Sequence, residues 1–148
     1  MAVPADIPGF FVRYAEAFAA FDLDRLMGFI EDQLVVVTEE RTHSFAERHS
    51  VRVNMEGLLR VYRKLGVERC LPVSVLGQPY TNNPNLAGAE VTWSLQDRQG
   101  RQIIRFSTGY MLRRRSGDWR IAIAVAHDEP VKLARALAAV EAAEAQQR

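Results

Sequence analysis

The chain has 148 residues, 48% apolar and 25% charged, which fits one globular domain with a sizeable core. Its 19 basic and 18 acidic side chains leave a net charge of +1, so the basic excess of a nucleic-acid binder is missing. Cys70 is the only cysteine, which excludes an internal disulfide, and no apolar run reaches the roughly 20 residues of a membrane span.

The opening six residues, MAVPAD, lack the basic start and apolar centre of a signal peptide, and a cytoplasmic protein is expected. Pro8 suits the first turn of a helix, where its missing N–H costs nothing. Phe10, Phe11, Tyr14, Phe18 and Phe21 then recur at helical spacing, giving a helix with a thick aromatic face. Asp22 breaks it and caps a second short helix carrying Leu23, Leu26, Met27 and Ile30. The β-branched run from Leu34 to Val37 predicts a strand, and Thr38 to Ser50 reads as an irregular strand or hairpin. Asn54 is the expected cap of a third helix, whose apolar stripe (Met55, Leu58, Leu59, Tyr62, Leu65) stops at Gly66. Val67 to Leu76 predicts another strand, and Tyr80 to Asn85 a loop.

Gln99-Gly100 and Ser116-Gly117 are two-residue hairpin signals flanked by strand-like sequence, and two such turns fix the register of three strands. Arg98 then pairs with Arg101, and Arg115 with Asp118. Counting outward, Trp93, Phe106 and His127 share one row, Val91, Thr108 and Val125 the next, and Ala89, Tyr110 and Ile123 the one after. Thr92, Ser94, Arg105, Ser107, Gly109, Ala122, Ala124 and Ala126 fall on the opposite face. Asp128-Glu129-Pro130 opens a C-terminal helix. Arg113-Arg114-Arg115, just before a turn, reads as a solvated hairpin tip.

Two short helices, a strand, a third helix, a loop and a long meander closing on Gly-Asp-Trp-Arg-Ile resemble the nuclear transport factor 2-like superfamily, which includes ketosteroid isomerases and SnoaL-like cyclases. The segments carrying the likeness are Phe11 to Ile30, Met55 to Gly66 and Val91 to His127, and the nearest local pattern is YAEAFAAFDLDRLMGFIEDQLVV, from Tyr14 to Val36. The resemblance implies an α+β fold, a curved antiparallel sheet wrapped by N-terminal helices into a cone-shaped pocket. Residues 1–128 would form the cone and 129–148 a helical extension. It also implies a homodimer through the outer sheet face.

By that likeness Tyr14 sits where ketosteroid isomerases carry a pocket tyrosine, although a core aromatic with a satisfied hydroxyl explains it equally well. The general-base carboxylate of those isomerases would fall near Val37 or Thr38, where there is none, so steroid isomerisation is not expected. His127, at the end of an apolar face, could act as acid or base, against the plainer reading of a satisfied rim histidine. Asp128 would face Arg105 across the strands or cap the last helix. His43 and His49, near Glu39, Glu40 and Glu47, match no metal-ligand spacing, and Gly57, Gly66 and Gly77 form no phosphate loop, so neither metal nor other cofactor is expected. Cys70 reads as a small buried apolar residue.

Three functional readings follow. The first is a binding protein for a small apolar molecule, its pocket lined by Tyr14, Phe18, Trp93, Phe106, Tyr110 and His127. The second is a cyclase, dehydratase or isomerase using His127 with Tyr14 or Tyr110. The third is a dimeric protein-interaction module, disfavoured because few large apolar residues fall on the outer face. No nucleic-acid or membrane partner is expected.

Overall fold

The computed structural model describes residues 6–147, so residues 1–5, part of the segment read above for a signal peptide, lie outside the described residues. The elements run α1 (Ile7–Ala19), α2 (Leu23–Met27), β1 (Ile30–Val37), β2 (Thr42–Phe45), α3 (Arg48–Leu65), β3 (Arg69–Pro79), β4 (Leu86–Gln96), β5 (Gln102–Arg115), β6 (Asp118–Ala126) and α4 (Glu129–Gln146). The strands form one six-stranded sheet in the order β2-β1-β6-β5-β4-β3. All neighbours are antiparallel except β1 and β6, which run parallel and make the sheet mixed. The architecture is the expected α+β cone: a curved sheet wrapped by the N-terminal helices, with a further C-terminal helix.

The helix ends follow local chemistry. Pro8 lies in the first turn of α1, and Asp22 caps α2 by accepting from the Arg25 N–H at 3.1 Å. α3 ends at Gly66 in the left-handed conformation, φ 80°, as a glycine permits. Its start differs from the sequence reading. Glu47 is the cap, in a reciprocal box with Ser50, and Asn54 lies within the helix. The extra turns are polar on the outside (Arg48, His49, Arg52) while Val51 is fully buried, so one apolar residue anchors a turn that composition alone presents as loop. The rest of the expected irregular segment is the β1–β2 hairpin, closed where the Thr38 N–H donates to the Arg41 carbonyl.

Between β4 and β5 the expected rows are present: Trp93 faces Phe106, Val91 faces Thr108, and Ala89 faces Tyr110. The turn itself is longer than expected. Asp97, not Arg98, pairs with Arg101, Gly100 adopts φ 81°, and a shift between Leu95 and Gln96 restores the register. At the other end Arg115 pairs with Asp118 as expected, with Ser116 at φ 51° and Gly117 at φ 84°, the positive pair a tight hairpin turn requires.

That second register does not persist. Leu112 pairs with Ile121 but Met111 with Ile123, so Ala122 is an extra residue in β6, a bulge. Every later side chain exchanges faces. Ala124 and Ala126 pair with Tyr110 and Thr108 on the concave side, whereas Ile123, Val125 and His127 face outward. The expected Trp93–Phe106–His127 row therefore ends at Phe106. Asp128 does not pair with Arg105, nor does its side chain cap α4: it accepts from the Ser107 N–H at 3.3 Å and from Lys132 Nζ at 2.8 Å.

The arginine triplet is not merely a solvated tip. Arg113 and Arg115 both donate to Oε1 of buried Glu31, at 3.3 and 3.0 Å. Arg114 lies over the Trp119 ring, 4.8 Å from its centroid, and donates to the Pro84 carbonyl. Charge-assisted bonds to a buried carboxylate count for more than exposed ion pairs, but both arginines can turn to water once it is gone. Glu31→Ala should thus cost about 1–2 kcal/mol, read as a shift in the urea midpoint. A change below a few tenths would mean that the cluster contributes nothing to β1–β5 cohesion.

Candidate functional site

α1 directs Phe10, Phe11, Tyr14 and Phe18 toward the concave face of the sheet, and all four are buried. Phe11 packs against Trp93 and Tyr110 with ring centroids 6.3 and 4.9 Å apart, closing the narrow end of the cone. Beyond it the packing stops. The small side chains of Ala124 and Ala126 do not reach the helices opposite, leaving a cavity of about 460 Å³ between the sheet, α1 and α3.

The cavity is walled by Trp93, Phe106, Tyr110, Leu95 and Ile121 from the sheet, Tyr14 and Phe18 from α1, and Met55, Leu58, Val61 and Tyr62 from α3. Of the residues singled out from sequence, Tyr14, Phe18, Trp93, Phe106 and Tyr110 thus come together around one space. His127 does not. It is exposed beside a shallower depression on the outer face with Val37, Tyr80, Glu90 and Val125. The sheet separates its imidazole from the hydroxyls of Tyr14 and Tyr110, so the proposed proton-transfer pairings lack geometry.

Polar groups on the wall are few and mostly paired. Trp93 Nε1 donates to the Tyr110 hydroxyl at 3.0 Å, fixing both rings. Burial raises the Tyr14, Tyr62 and Tyr110 hydroxyls above their ordinary range and pushes the Cys70 thiol up to about 12, so all four are neutral donors near pH 7. Cys70 lies on the wall but offers no thiolate.

One group on the wall had no place in the sequence reading. Glu129, the first residue of α4, lines the cavity, and its Oε2 accepts from the Tyr62 hydroxyl at 3.1 Å. Burial holds its carboxyl up at about 7; the Tyr62 hydrogen bond opposes this and the neighbouring Asp128 charge adds to it. Asp128-Glu129-Pro130 was legible as a helix start, but not the direction in which the chain leaves the bulged β6. His43 and Phe45 of β2 also line the cavity, His43 being exposed. Among the described residues no three His, Cys, Asp or Glu side chains converge as a metal site requires, and no helix is long and apolar enough to cross a membrane.

With this geometry the comparisons agree on one fold. A family model described as NTF2-like protein (DUF6841) matches residues 5–129. A protein of unknown function with a cystatin-like fold from Nostoc punctiforme superposes with a TM-score of 0.66 at 12% identity, covering 86% of this chain and 94% of that one. An NTF2-like protein of unknown function from Shewanella oneidensis gives 0.64 at 15% identity, covering 83% and 97%. An NTF2-like protein with a cystatin-like fold from Novosphingobium aromaticivorans gives 0.61 at 14%, covering 82% and 79%. At these identities the likeness is one of fold alone. A search of curated proteins finds no match.

Proposed function

Since the chain belongs to the family of NTF2-like proteins (DUF6841), we propose that it is a small-molecule-binding protein whose cone holds an apolar ligand. The observation that carries this reading is the unfilled space of about 460 Å³ bounded by Trp93, Phe106, Tyr14 and Phe18, where β6 beyond its bulge presents only Ala124 and Ala126. Interiors otherwise pack without such voids, and a mostly apolar cleft of a few hundred cubic ångströms with few polar groups is the usual form of a ligand site. In this reading residues 1–128 form the cone, and residues 129–148 are an extension whose first side chain completes the wall. The single buried cysteine suits a cytoplasmic location, and near-neutral net charge suits neither nucleic acid nor membrane as partner.

A homodimer through the outer sheet face belongs to the same proposal. The bulge makes that face more apolar than its sequence register implied, adding Ile123 and Val125 beside Val35 and Val37. Val125, Leu76 and Tyr80 are among the exposed large apolar side chains.

The cavity is tested by filling it. In a Trp119→Phe background, where Trp93 is the sole tryptophan, naphthalene-type compounds should quench fluorescence and raise the melting temperature. A hundredfold excess over the dissociation constant corresponds to about 2.7 kcal/mol. Ala124→Phe, which projects a ring into the cavity, should abolish both responses while leaving a folded protein. Binding that survives Ala124→Phe, or no binding across a broad apolar library, would overturn the proposal.

A further inference from the structure

We propose that the ligand of this cavity carries a protonated amine on its apolar body, and that the carboxylate of Glu129 recognises it. The inference rests on the ligand-cavity reading above and names the chemical class of its occupant.

Three observations carry it. Glu129 faces the cavity with one of its two carboxyl oxygens unpartnered: Oε2 accepts from Tyr62, and no donor among the described residues reaches Oε1. Among the described residues it also has no cationic partner. The groups facing it are the neutral hydroxyls of Tyr62 on α3, Tyr14 on α1 and Tyr110 on β5, the Cys70 thiol on β3, and the carboxylate of Asp128. Of the cations on or near α4, Lys132 is engaged with Asp128 and the Arg105 carbonyl and Lys64 with Glu141, while Arg135 is exposed and is not on the cavity wall. His43 is the only basic side chain on the wall among the described residues, and it is exposed on the edge strand β2.

The third observation is the wall itself. Tyr14, Tyr62, Trp93, Phe106 and Tyr110 surround the space. Aromatic faces attract a desolvated ammonium, and a carboxyl in such surroundings is costly unless a cation meets it. An ammonium donating to Oε1 would supply the missing pair and draw the carboxyl into its ionised form, which the position of its titration near neutrality makes accessible.

The test compares 1-naphthylmethylamine with 1-naphthylmethanol, equal in shape but not in charge, by calorimetry on the full chain at low salt. At pH 8 the amine should bind about tenfold or more tightly than the alcohol. Its advantage should shrink by about tenfold at pH 6, where Glu129 takes up a proton that the amine must displace. Glu129→Gln, isosteric and uncharged, should bring the ratio near one at both pH values. If neither compound binds, the cavity reading itself fails and this inference falls with it. If both bind equally, the cavity stands and the amine inference is overturned. An amine preference that persists in Glu129→Gln, or that ignores pH in the unmodified chain, overturns it as well.

Discussion

Replacing Phe11 by alanine should destabilise the fold by about 3–5 kcal/mol, the range for removing a fully buried aromatic side chain. Phe11 is 0% exposed, and its ring contacts Phe10, Tyr14, Trp93 and Tyr110 within a centroid distance of 6.3 Å or less. No open space adjoins it, since it is absent from the cavity wall that Tyr14 and Trp93 share. Truncation therefore leaves a void that rigid neighbours cannot fill. Phe106 is equally hidden from solvent but borders the cavity on one side. Phe106→Ala enlarges a space that already exists and forfeits fewer contacts, so it should cost less than Phe11→Ala while weakening ligand binding more. Urea titrations of the two variants give the comparison directly. An equal loss, with no effect of either on ligand response, would mean that the Phe106 row is solid core.

That contrast between two phenylalanines was only partly legible in the sequence. Both show an apolar role, Phe11 by helical spacing and Phe106 by its register with Trp93. The β4–β5 register was readable because apolar Ala89, Val91 and Trp93 alternate with polar Glu90, Thr92 and Ser94, so a slip of one would bury charge. β6 offers no such restraint. Its run Ile121-Ala-Ile-Ala-Val-Ala126 is apolar at every position, and either parity satisfies a hydrophobic pattern. The bulge at Ala122 selects the parity that places alanines inside, which opens the cavity, and isoleucine and valine outside. The same decision removed His127 from the site. The parallel pairing of β1 with β6 escaped for a different reason: Leu34 to Val37 are apolar throughout, and no turn connects them to a partner. Helix α3 began early because its first turns bury a single valine.

Glu129 should make the protein less stable as pH rises from about 5 to about 7. Its carboxyl titrates at about 7 in the folded protein against an ordinary value of 4.5, because burial disfavours the charge. Between those values the folded form retains a proton that the unfolded form has released, so raising the pH favours unfolding, and the slope vanishes above the folded value. At roughly 1.4 kcal/mol for each pH unit the full effect approaches ~3 kcal/mol, reduced to the extent that cavity water solvates the carboxylate. Asp128 acts in a separate window: its hydrogen bonds, the one from Lys132 foremost, lower its titration, so its contribution is lost only on acidification below the ordinary carboxylate range. Urea midpoints taken at half-unit steps from about pH 2 to about pH 8 resolve the two. Glu129→Gln should flatten the upper window, matching the unmodified chain near pH 5 and exceeding it at pH 8, because the amide keeps a partner for Tyr62 without a charge to bury. A slope that survives in Glu129→Gln would assign the titration to another group. A flat profile in the unmodified chain would mean that water reaches the carboxylate freely. A saturating amine ligand should invert the ordering, stabilising the unmodified chain most at pH 8, where ionised Glu129 is paired.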